Sequence, residues 1–320
     1  MAHECLGPLQ YQEWGAGDPL IALHPLALES GAFAGVAEAL AHQGLRTLAV
    51  DLPGFGKTPA IDGPLTPESL AAPVIELAGS LERPPLLIGM SMGGRVALEA
   101  ALSHPELFRG IVLVATFLPW QRWRPALGLA RLMDPGWAGY LPLERAWPVL
   151  KYLARFIESR PALEHDWLAR ASARVVYTSS CPASREAFIS AARELALDPV
   201  ALWDRLPDLA LPATFLWAGR DALIPRSHQR AVAEVLPGAN QLEVPCSGHF
   251  VSGSHFRCMR HAIAMAVERT ALAAETDAAD RPEIGACILS PCFADQRSAQ
   301  EAAPAAAPVR EPQRARGSAP

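Results

Sequence analysis

Residues 86–94 read Leu86-Leu87-Ile88-Gly89-Met90-Ser91-Met92-Gly93-Gly94, an apolar run that passes directly into a glycine-rich turn. The run predicts a buried strand, and the residues after it predict a helix from about Met92 to Ser103. On a sharp turn between strand and helix, a serine hydroxyl is lifted above the sheet, and the unpaired N–H groups of the new helix face it. The stretch therefore predicts a nucleophilic Ser91, with a passive serine in a glycine-rich turn as the alternative.

Short apolar runs alternate with helical patterns over most of the chain on either side of this turn. Besides residues 86–89, strands are predicted at 20–23, 46–50, 111–114, 214–217 and 241–244. Uninterrupted apolar strands are typical of a sheet that is buried on both faces. We therefore predict an α/β fold in which a mostly parallel central sheet is flanked by helices.

The strand pattern is interrupted over residues 117–197, which have a helical texture and several prolines. The segment is too long for a simple connection, so we predict an inserted helical cap on a core formed by residues 1–116 and 198–274. Its tryptophans either pack the cap onto the core or line an apolar pocket, and Trp120, Trp123 and Trp147 are the expected substrate contacts. Residues 275–320 are rich in alanine and proline, and we predict a disordered tail there.

A serine hydroxyl needs a base to become a nucleophile, and the base needs a carboxylate to orient it. His249 is the predicted base because it lies in the loop after the last predicted strand, whereas its competitor His255 falls at a helix start. Asp221 is the predicted carboxylate because it follows the 214–217 strand at its carboxyl end, where ligands bind in open parallel sheets. The alternative for Asp221 is a cap on the helix that follows it.

The G-x-S-x-G turn and the chain order Ser91, Asp221, His249 resemble the α/β-hydrolase superfamily. The resemblance covers roughly residues 8–270. Residues 51–58 match the family's D-x-P-G-x-G-x-S loop, and residues 103–106 match the end of the helix that follows the nucleophile. It implies catalysis through a Ser-His-Asp triad without a metal or organic cofactor.

An oxyanion formed on acyl attack needs preorganised hydrogen-bond donors. One expected donor is the amide of Met92, directly after the nucleophile. Members of the superfamily generally carry His-Gly-x in the early loop, and this chain has His24-Pro25-Leu26 there. Proline has no amide to donate, but the resemblance assigns the second donor to Leu26, so the oxyanion hole is retained.

A serine at the turn distinguishes the chain from haloalkane dehalogenases and related epoxide hydrolases, which use aspartate there. The leading prediction is therefore hydrolysis of an ester, thioester or lactone of a small, largely apolar substrate. Residues 51–56 and 221–226 resemble the carboxylesterase of biotin synthesis, over too few positions to assign its substrate. Apart from the three tryptophans, the expected substrate contacts are His24, Met90, Arg95 and Phe250.

Three alternatives to ester hydrolysis stay open. Residues 91–95 resemble the same turn in the menaquinone-pathway lyase, where an arginine helps to hold the substrate's carboxylate; Arg95 either does this or forms a structural ion pair on its helix. Carbon–carbon bond hydrolases also share Ser-Met-Gly-Gly. A non-catalytic ligand-binding protein of the same fold is the third alternative.

The composition argues against several other classes of function. A formal net charge of −5 and 19% charged residues give no reason to expect a nucleic acid or an acidic membrane surface as partner. We predict no membrane span, no secretory leader and no metal site, since six scattered cysteines have no zinc spacing. The expected location is the cytoplasm and the expected partner is a small acyl substrate; the sequence does not determine the oligomeric state.

Overall fold

The computed structural model of the chain describes residues 9–119, 182–198, 201–275 and 287–288, excluding positions 222, 225, 246 and 250–255. Within these residues the strands are β1 Tyr11–Trp14, β2 Asp18–Leu23, β3 Leu45–Val50, β4 Leu86–Met90, β5 Gly110–Val114, β6 Ala213–Ala218, β7 Asn240–Val244 and β8 Cys287–Ile288. They form one sheet in the order β1-β3-β2-β4-β5-β6-β7-β8. Every pairing is parallel except that of β1 with β3, so the predicted fold class is confirmed.

Helices connect the strands and cover the sheet. The described helices are α1 Ala34–Ala41, α2 Pro67–Gly79, α3 Met92–Ser103, α4 Pro182–Leu197, α5 Leu202–Arg205, α6 Arg226–Val235 and α7 Phe256–Glu275. Short 3₁₀ turns lie at Ser30–Phe33, Pro105–Leu107 and Leu206–Asp208. Among the described helices none is long and apolar enough to cross a bilayer.

The core lies on both faces of the sheet, which explains the uninterrupted apolar strands. Along β2, Ile21 and Leu23 belong to one buried cluster, whereas Leu20 and Ala22 belong to a second cluster on the opposite face. Successive side chains of a strand point to opposite faces, so each face needs an apolar residue at every second position. The parallel pairing brings the carboxyl ends of β2, β4, β5, β6 and β7 to one edge of the sheet, where the candidate site lies.

Two strands lie outside the sequence prediction. β1 is an antiparallel edge strand whose residues are mostly exposed, so it lacks the apolar run that marked the others. β8 falls inside the predicted tail: Cys287 and Ile288 pair with Leu242 and Glu243 of β7. Apart from this two-residue strand, residues 276–320 lie outside the described residues, so the disordered tail stays a prediction.

Part of the predicted cap lies within the structure. Helix α4 occupies residues 182–197, in agreement with the helical texture expected there. Residues 120–181 lie outside the described residues, as do the expected substrate contacts Trp120, Trp123, Trp147 and Phe250. The cap and these contacts therefore stay predictions.

Candidate active site

Ser91 is the single residue between β4 and α3, and its backbone has φ 51° and ψ −111°. This is a left-handed conformation that L-residues with side chains rarely adopt, and it costs about 1–3 kcal/mol. The glycines around it are required by close approach: a Cβ on Gly89 would lie 2.3 Å from the Gly93 carbonyl oxygen, and one on Gly93 would lie 2.1 Å from that of Leu23. The predicted strand–turn–helix around the serine is present.

Backbone hydrogen bonds hold the strained serine from two sides. Its amide donates to the carbonyl of Val114 at 3.0 Å, and its carbonyl accepts from the amides of Phe117 at 3.1 Å and Arg95 at 3.2 Å. The segment after β5 is strained as well, since Ala115 has φ 41°. The serine is thus fixed to the end of the neighbouring strand as well as to its own helix.

The three predicted triad residues lie in hydrogen-bond contact. His249 Nε2 is 2.9 Å from Ser91 Oγ, and His249 Nδ1 is 2.8 Å from Asp221 Oδ2. The side chains of His249 and Asp221 are 4% and 3% exposed. A carboxylate can only accept from Nδ1–H, and that tautomer presents Nε2 as an acceptor for the serine hydroxyl proton. This is the arrangement that a general base needs toward a serine nucleophile.

Asp221 also organises its own turn. Its Oδ1 accepts hydrogen bonds from the amides of Leu223 and Ile224, both at 2.8 Å. Both amides precede α6, which begins at Arg226, so Asp221 does not cap that helix as the alternative expected. One of its oxygens holds the turn and the other holds the imidazole. Fixing the carboxylate through its turn reduces the freedom with which it can move away from His249.

The loops that carry Asp221 and His249 are fastened to each other. The amide of Gly219 donates to the Val244 carbonyl at 2.9 Å, and that of Arg220 donates to the Ser247 carbonyl at 2.9 Å. The Arg226 side chain adds a bridge, because its Nη2 donates to the Gly219 carbonyl at 3.2 Å and to Glu243 Oε1 at 2.8 Å. The acid and the base are therefore held as one unit at the ends of β6 and β7.

The early loop, with the candidate donor Leu26, turns directly after β2. The Leu28 amide donates to the Pro25 carbonyl at 3.2 Å, and Ala27 has φ 67°. Among the described residues the Leu26 amide has no hydrogen-bond acceptor. Met92 is the first residue of α3, a position whose N–H has no partner within the helix. Both candidate amides are thus available to an oxygen bound at this edge.

His24 lies within that loop and is completely buried. Its Nδ1 donates to the Pro25 carbonyl at 2.8 Å, while its Nε2 accepts from the Leu52 amide at 3.1 Å. Burial lowers the pKa of His24 to about 4, so the ring is neutral at physiological pH. This differs from the expected substrate contact, because Nδ1 is used within its own loop and Nε2 joins that loop to the loop after β3.

Asp51 joins the same two loops. Its carboxylate accepts hydrogen bonds from the amides of Ser30 at 2.7 Å and Lys57 at 2.9 Å. Gly56 has φ 56°, and a Cβ there would lie 2.2 Å from Asp51 Cγ. The loop of residues 51–58 is therefore a scaffold for the early loop, which explains its aspartate and glycines.

Met90 and Arg95, two further expected substrate contacts, are buried by other partners. Met90 is 8% exposed and belongs to a buried core cluster. Arg95 is 1% exposed; its guanidinium donates to Asp198 from Nε at 2.5 Å and from Nη2 at 3.0 Å, and to Glu99 from Nη1 at 3.0 Å. For Arg95 the structure thus has the ion pair that sequence analysis gave as the alternative to a substrate contact.

The two carboxylates of this ion pair, Glu99 and Asp198, were not predicted from the sequence. Glu99 follows Arg95 by four residues on α3, a spacing that indicates a helical ion pair and was available from the sequence. Asp198 is 103 positions away and has no local motif. Among the described residues no group of three or more His, Cys, Asp or Glu side chains is arranged to hold a metal ion.

The chain is similar to known proteins over most of its length. The sequence profile of the alpha/beta hydrolase fold matches residues 18–256. Pimeloyl-[acyl-carrier protein] methyl ester esterase from Aeromonas hydrophila is 30% identical over 249 residues, which are 76% of this chain and 93% of that protein. The protein of the same name from Chromobacterium violaceum is 31% identical over 263 residues, 80% of this chain and 97% of that one.

Solved structures agree with the fold. A thermophilic esterase from Thermogutta terrifontis superposes with a TM-score of 0.65 at 23% identity, covering 82% of this chain and 93% of its own. At this level of identity, the similarity supports the arrangement of strands and helices rather than a particular substrate.

Proposed function

The chain is an enzyme of the alpha/beta hydrolase fold family, and we propose that it hydrolyses the carboxylic ester of a small, largely apolar acyl group through an acyl-enzyme on Ser91. The observation that carries the proposal is the hydrogen-bonded series Asp221–His249–Ser91, with distances of 2.8 and 2.9 Å. It supplies a nucleophile, a base in contact with it and a carboxylate that orients the base.

In the proposed mechanism, His249 Nε2 takes the proton of the Ser91 hydroxyl while Oγ attacks the acyl carbon. The carbonyl oxygen becomes an oxyanion, which the amides of Leu26 and Met92 stabilise. The tetrahedral intermediate then collapses, the C–O bond to the alcohol breaks, and the alcohol leaves with the proton held by His249. A water molecule, deprotonated by His249, attacks the acyl-enzyme by the same route and releases the carboxylic acid and the serine.

The surroundings of Arg95 weaken the lyase alternative. A lyase of the type considered above uses an arginine at this position to hold a substrate carboxylate. In this chain Asp198 and Glu99 already neutralise the guanidinium, which is 1% exposed. A substrate carboxylate would have to displace a buried protein carboxylate, which leaves that carboxylate without its counter-ion.

For the substrate we propose the methyl ester of an acyl chain carried by acyl carrier protein. The support is the function of the two methyl ester esterases named above, which are 30% and 31% identical over more than nine tenths of their own length. The same triad would act on thioesters and lactones, so the identity of the leaving group is the part of the proposal that needs its own test.

Assays of wild-type protein and Ser91→Ala test the proposal. The substrates are p-nitrophenyl esters of increasing acyl length, followed by methyl esters of free and carrier-bound acyl chains. We expect wild-type turnover that falls by about a millionfold in kcat in the variant, with the carrier-bound methyl ester preferred. Absence of turnover by the wild-type protein on every ester would contradict the proposed function. A preference for methyl esters of free acyl chains over carrier-bound ones would contradict only the proposed carrier-bound substrate.

A further inference from the structure

A group of four charged side chains lies one helical turn from the nucleophile; three are almost fully buried and the fourth, Arg205, is 41% exposed. Arg95 and Glu99 on α3 contact Asp198 and Arg205, and we call these four residues the Arg95 cluster. Glu99 accepts from Arg205 Nη1 at 3.0 Å and from Nη2 at 2.9 Å, in addition to the contact from Arg95. The side chains of Arg95, Glu99 and Asp198 are 1%, 5% and 0% exposed. Fully buried charges of this kind require defined partners, so the cluster specifies one arrangement of its helices.

The cluster joins the nucleophile helix to the segment that returns from the insertion. Asp198 directly follows α4, and Arg205 is the last residue of α5. On the other side, the Arg95 amide donates to the Ser91 carbonyl at 3.2 Å. The same arginine therefore contacts the serine turn through its backbone and the returning segment through its guanidinium.

Helix α4 in turn packs on the loops at the carboxyl edge of the sheet. The Leu65 amide donates to Ser190 Oγ at 3.0 Å, and a Cβ on Gly54 would lie 2.6 Å from Ala187 Cβ. Ala187 and Phe55 belong to the buried cluster against which Leu26 packs. A shift of α4 would therefore reach the loops that surround the candidate oxyanion donor.

Burial and ion pairing have opposite effects on the pKa values of the carboxylates in the cluster. Burial raises the pKa of Asp198 above its ordinary value, against the lowering by Arg95. For Glu99, burial also acts to raise the pKa, but the hydrogen bonds from Arg205 and Arg95 outweigh it and keep the pKa below its ordinary value. Asp198 thus depends on a single arginine, whereas Glu99 has two, and Asp198 is the sensitive position of the cluster.

We propose that the Arg95–Asp198 ion pair is a positioning device for substrate binding, because it holds α4 against the loops that bound the acyl site. The role rests on the proposed ester hydrolysis, and both residues act through α4 rather than on the reacting atoms. Loss of the pair would loosen α4 and weaken ground-state binding, while Ser91, His249 and Asp221 keep their contacts. The expected signature is a rise in KM with kcat retained.

The test compares Asp198→Asn with a matched control, Glu13→Gln. Glu13 also accepts two hydrogen bonds from one arginine, Arg46, but this pair lies on β1 and β3 and its side chains are 41% and 39% exposed. Asp198→Glu keeps the charge and serves as the conservative variant. For each protein we would measure KM and kcat on a p-nitrophenyl ester, with active sites titrated, and amide hydrogen exchange across residues 182–198.

We expect Asp198→Asn to raise KM on the order of tenfold, to leave kcat per active site unchanged and to speed exchange in α4. Glu13→Gln should change none of these three quantities, and Asp198→Glu should raise KM less than Asp198→Asn does. Unchanged exchange in α4, or a loss of kcat with KM unaltered, would overturn the proposal. An inactive wild-type protein would contradict the proposed function instead, since the exchange measurement does not depend on turnover. If Asp198→Asn does not fold, Asp198→Glu, which keeps the charge but displaces the carboxylate from Arg95, should still raise KM and speed exchange in α4 with kcat retained. Wild-type values of both KM and exchange in that variant would overturn the proposal.

Discussion

The carbonyl oxygen of Ser91 accepts a hydrogen bond from the Phe117 amide at 3.1 Å, so the serine is tied to the chain beyond β5. The Ser91 amide meanwhile donates to Val114, the last residue of that strand, at 3.0 Å. The two bonds extend the β4–β5 pairing by one residue past the end of β4. A left-handed serine is costly, and these contacts hold it where its hydroxyl meets His249.

Relief of the strain at Ala115 should stabilise the protein. Ala115 has φ 41°, a region where glycine has no steric penalty. We expect Ala115→Gly to raise the free energy of unfolding by up to about 1 kcal/mol, because the strain outweighs the greater chain entropy of glycine. Urea denaturation of the wild-type protein and the variant measures this difference in the free energy of unfolding. A glycine variant less stable than the wild type would show that Ala115 is unstrained.

A methyl group at Gly93 should damage the candidate oxyanion hole. A Cβ there would lie 2.1 Å from the Leu23 carbonyl oxygen and 2.7 Å from that of His24, so the early loop and α3 must separate. Misplaced donors lose transition-state stabilisation, and we expect kcat/KM of Gly93→Ala to fall on the order of a hundredfold. Gly238→Ala is the control, since a Cβ at that position meets nothing within 4 Å. Equal activity of the two variants would contradict the close approach.

Two buried histidines should make stability fall in acid. Burial lowers the pKa of His24 and of His228 to about 4, from an ordinary value of 6.5. Between pH 6.5 and 4 the unfolded chain binds protons that the folded chain does not, so the free energy of unfolding decreases as the pH falls through this window. Each histidine contributes a loss of at most about 3 kcal/mol, and neither contributes above pH 6.5.

His228→Phe provides the test of this pH dependence. The ring of His228 lies edge-on to Trp203 with centroids 5.4 Å apart, and its Nδ1 has no hydrogen-bond partner among the described residues. Phenylalanine can keep the ring contact and cannot titrate. Urea denaturation between pH 7.5 and 4.5 should therefore give a shallower slope for the variant, and an unchanged slope would mean that His228 is not a source of the acid sensitivity.

Removal of a buried and an exposed arginine should have very different costs. Arg95→Met leaves Asp198 buried without its counter-ion, and we expect a loss of about 3–5 kcal/mol in the free energy of unfolding. Arg46→Met breaks a pair whose side chains are about two fifths exposed, and we expect 0–1 kcal/mol. Similar losses in the two variants, measured by urea denaturation, would contradict the buried character of the Arg95 cluster.

The sheet and the contacts among Ser91, His249 and Asp221 were predictable because each has a local signal. Leu86 to Met90 form a strand that is apolar at every position since both faces are buried, and Ser91 follows it on a glycine-rich turn. Asp221 and His249 each follow a predicted strand directly, and parallel strands bring their carboxyl ends together. Such features are determined by residues that are adjacent in the chain, so they can be recognised in the sequence.

The features that sequence analysis missed depend on distant contacts. The exposed residues Tyr11 to Trp14 form a strand only because β3 offers an edge. His24 is conspicuous in the sequence, yet its role follows from the Leu52 amide, 28 positions away. Arg95 has the sequence context of a substrate contact, and its actual partner Asp198 is brought to it by the tertiary fold alone.

Covalent labelling tests directly whether Ser91 is the nucleophile. The protein would be treated with a fluorophosphonate ester, digested and analysed by mass spectrometry, with Ser91→Ala and Asp221→Asn alongside. We expect one phosphonyl adduct on Ser91, none on the alanine variant and a rate slower by about 10⁴ in Asp221→Asn, where the imidazole loses its orienting carboxylate. An adduct on a different serine, or labelling of Ser91→Ala at the wild-type rate, would contradict Ser91 as the residue that forms the acyl-enzyme.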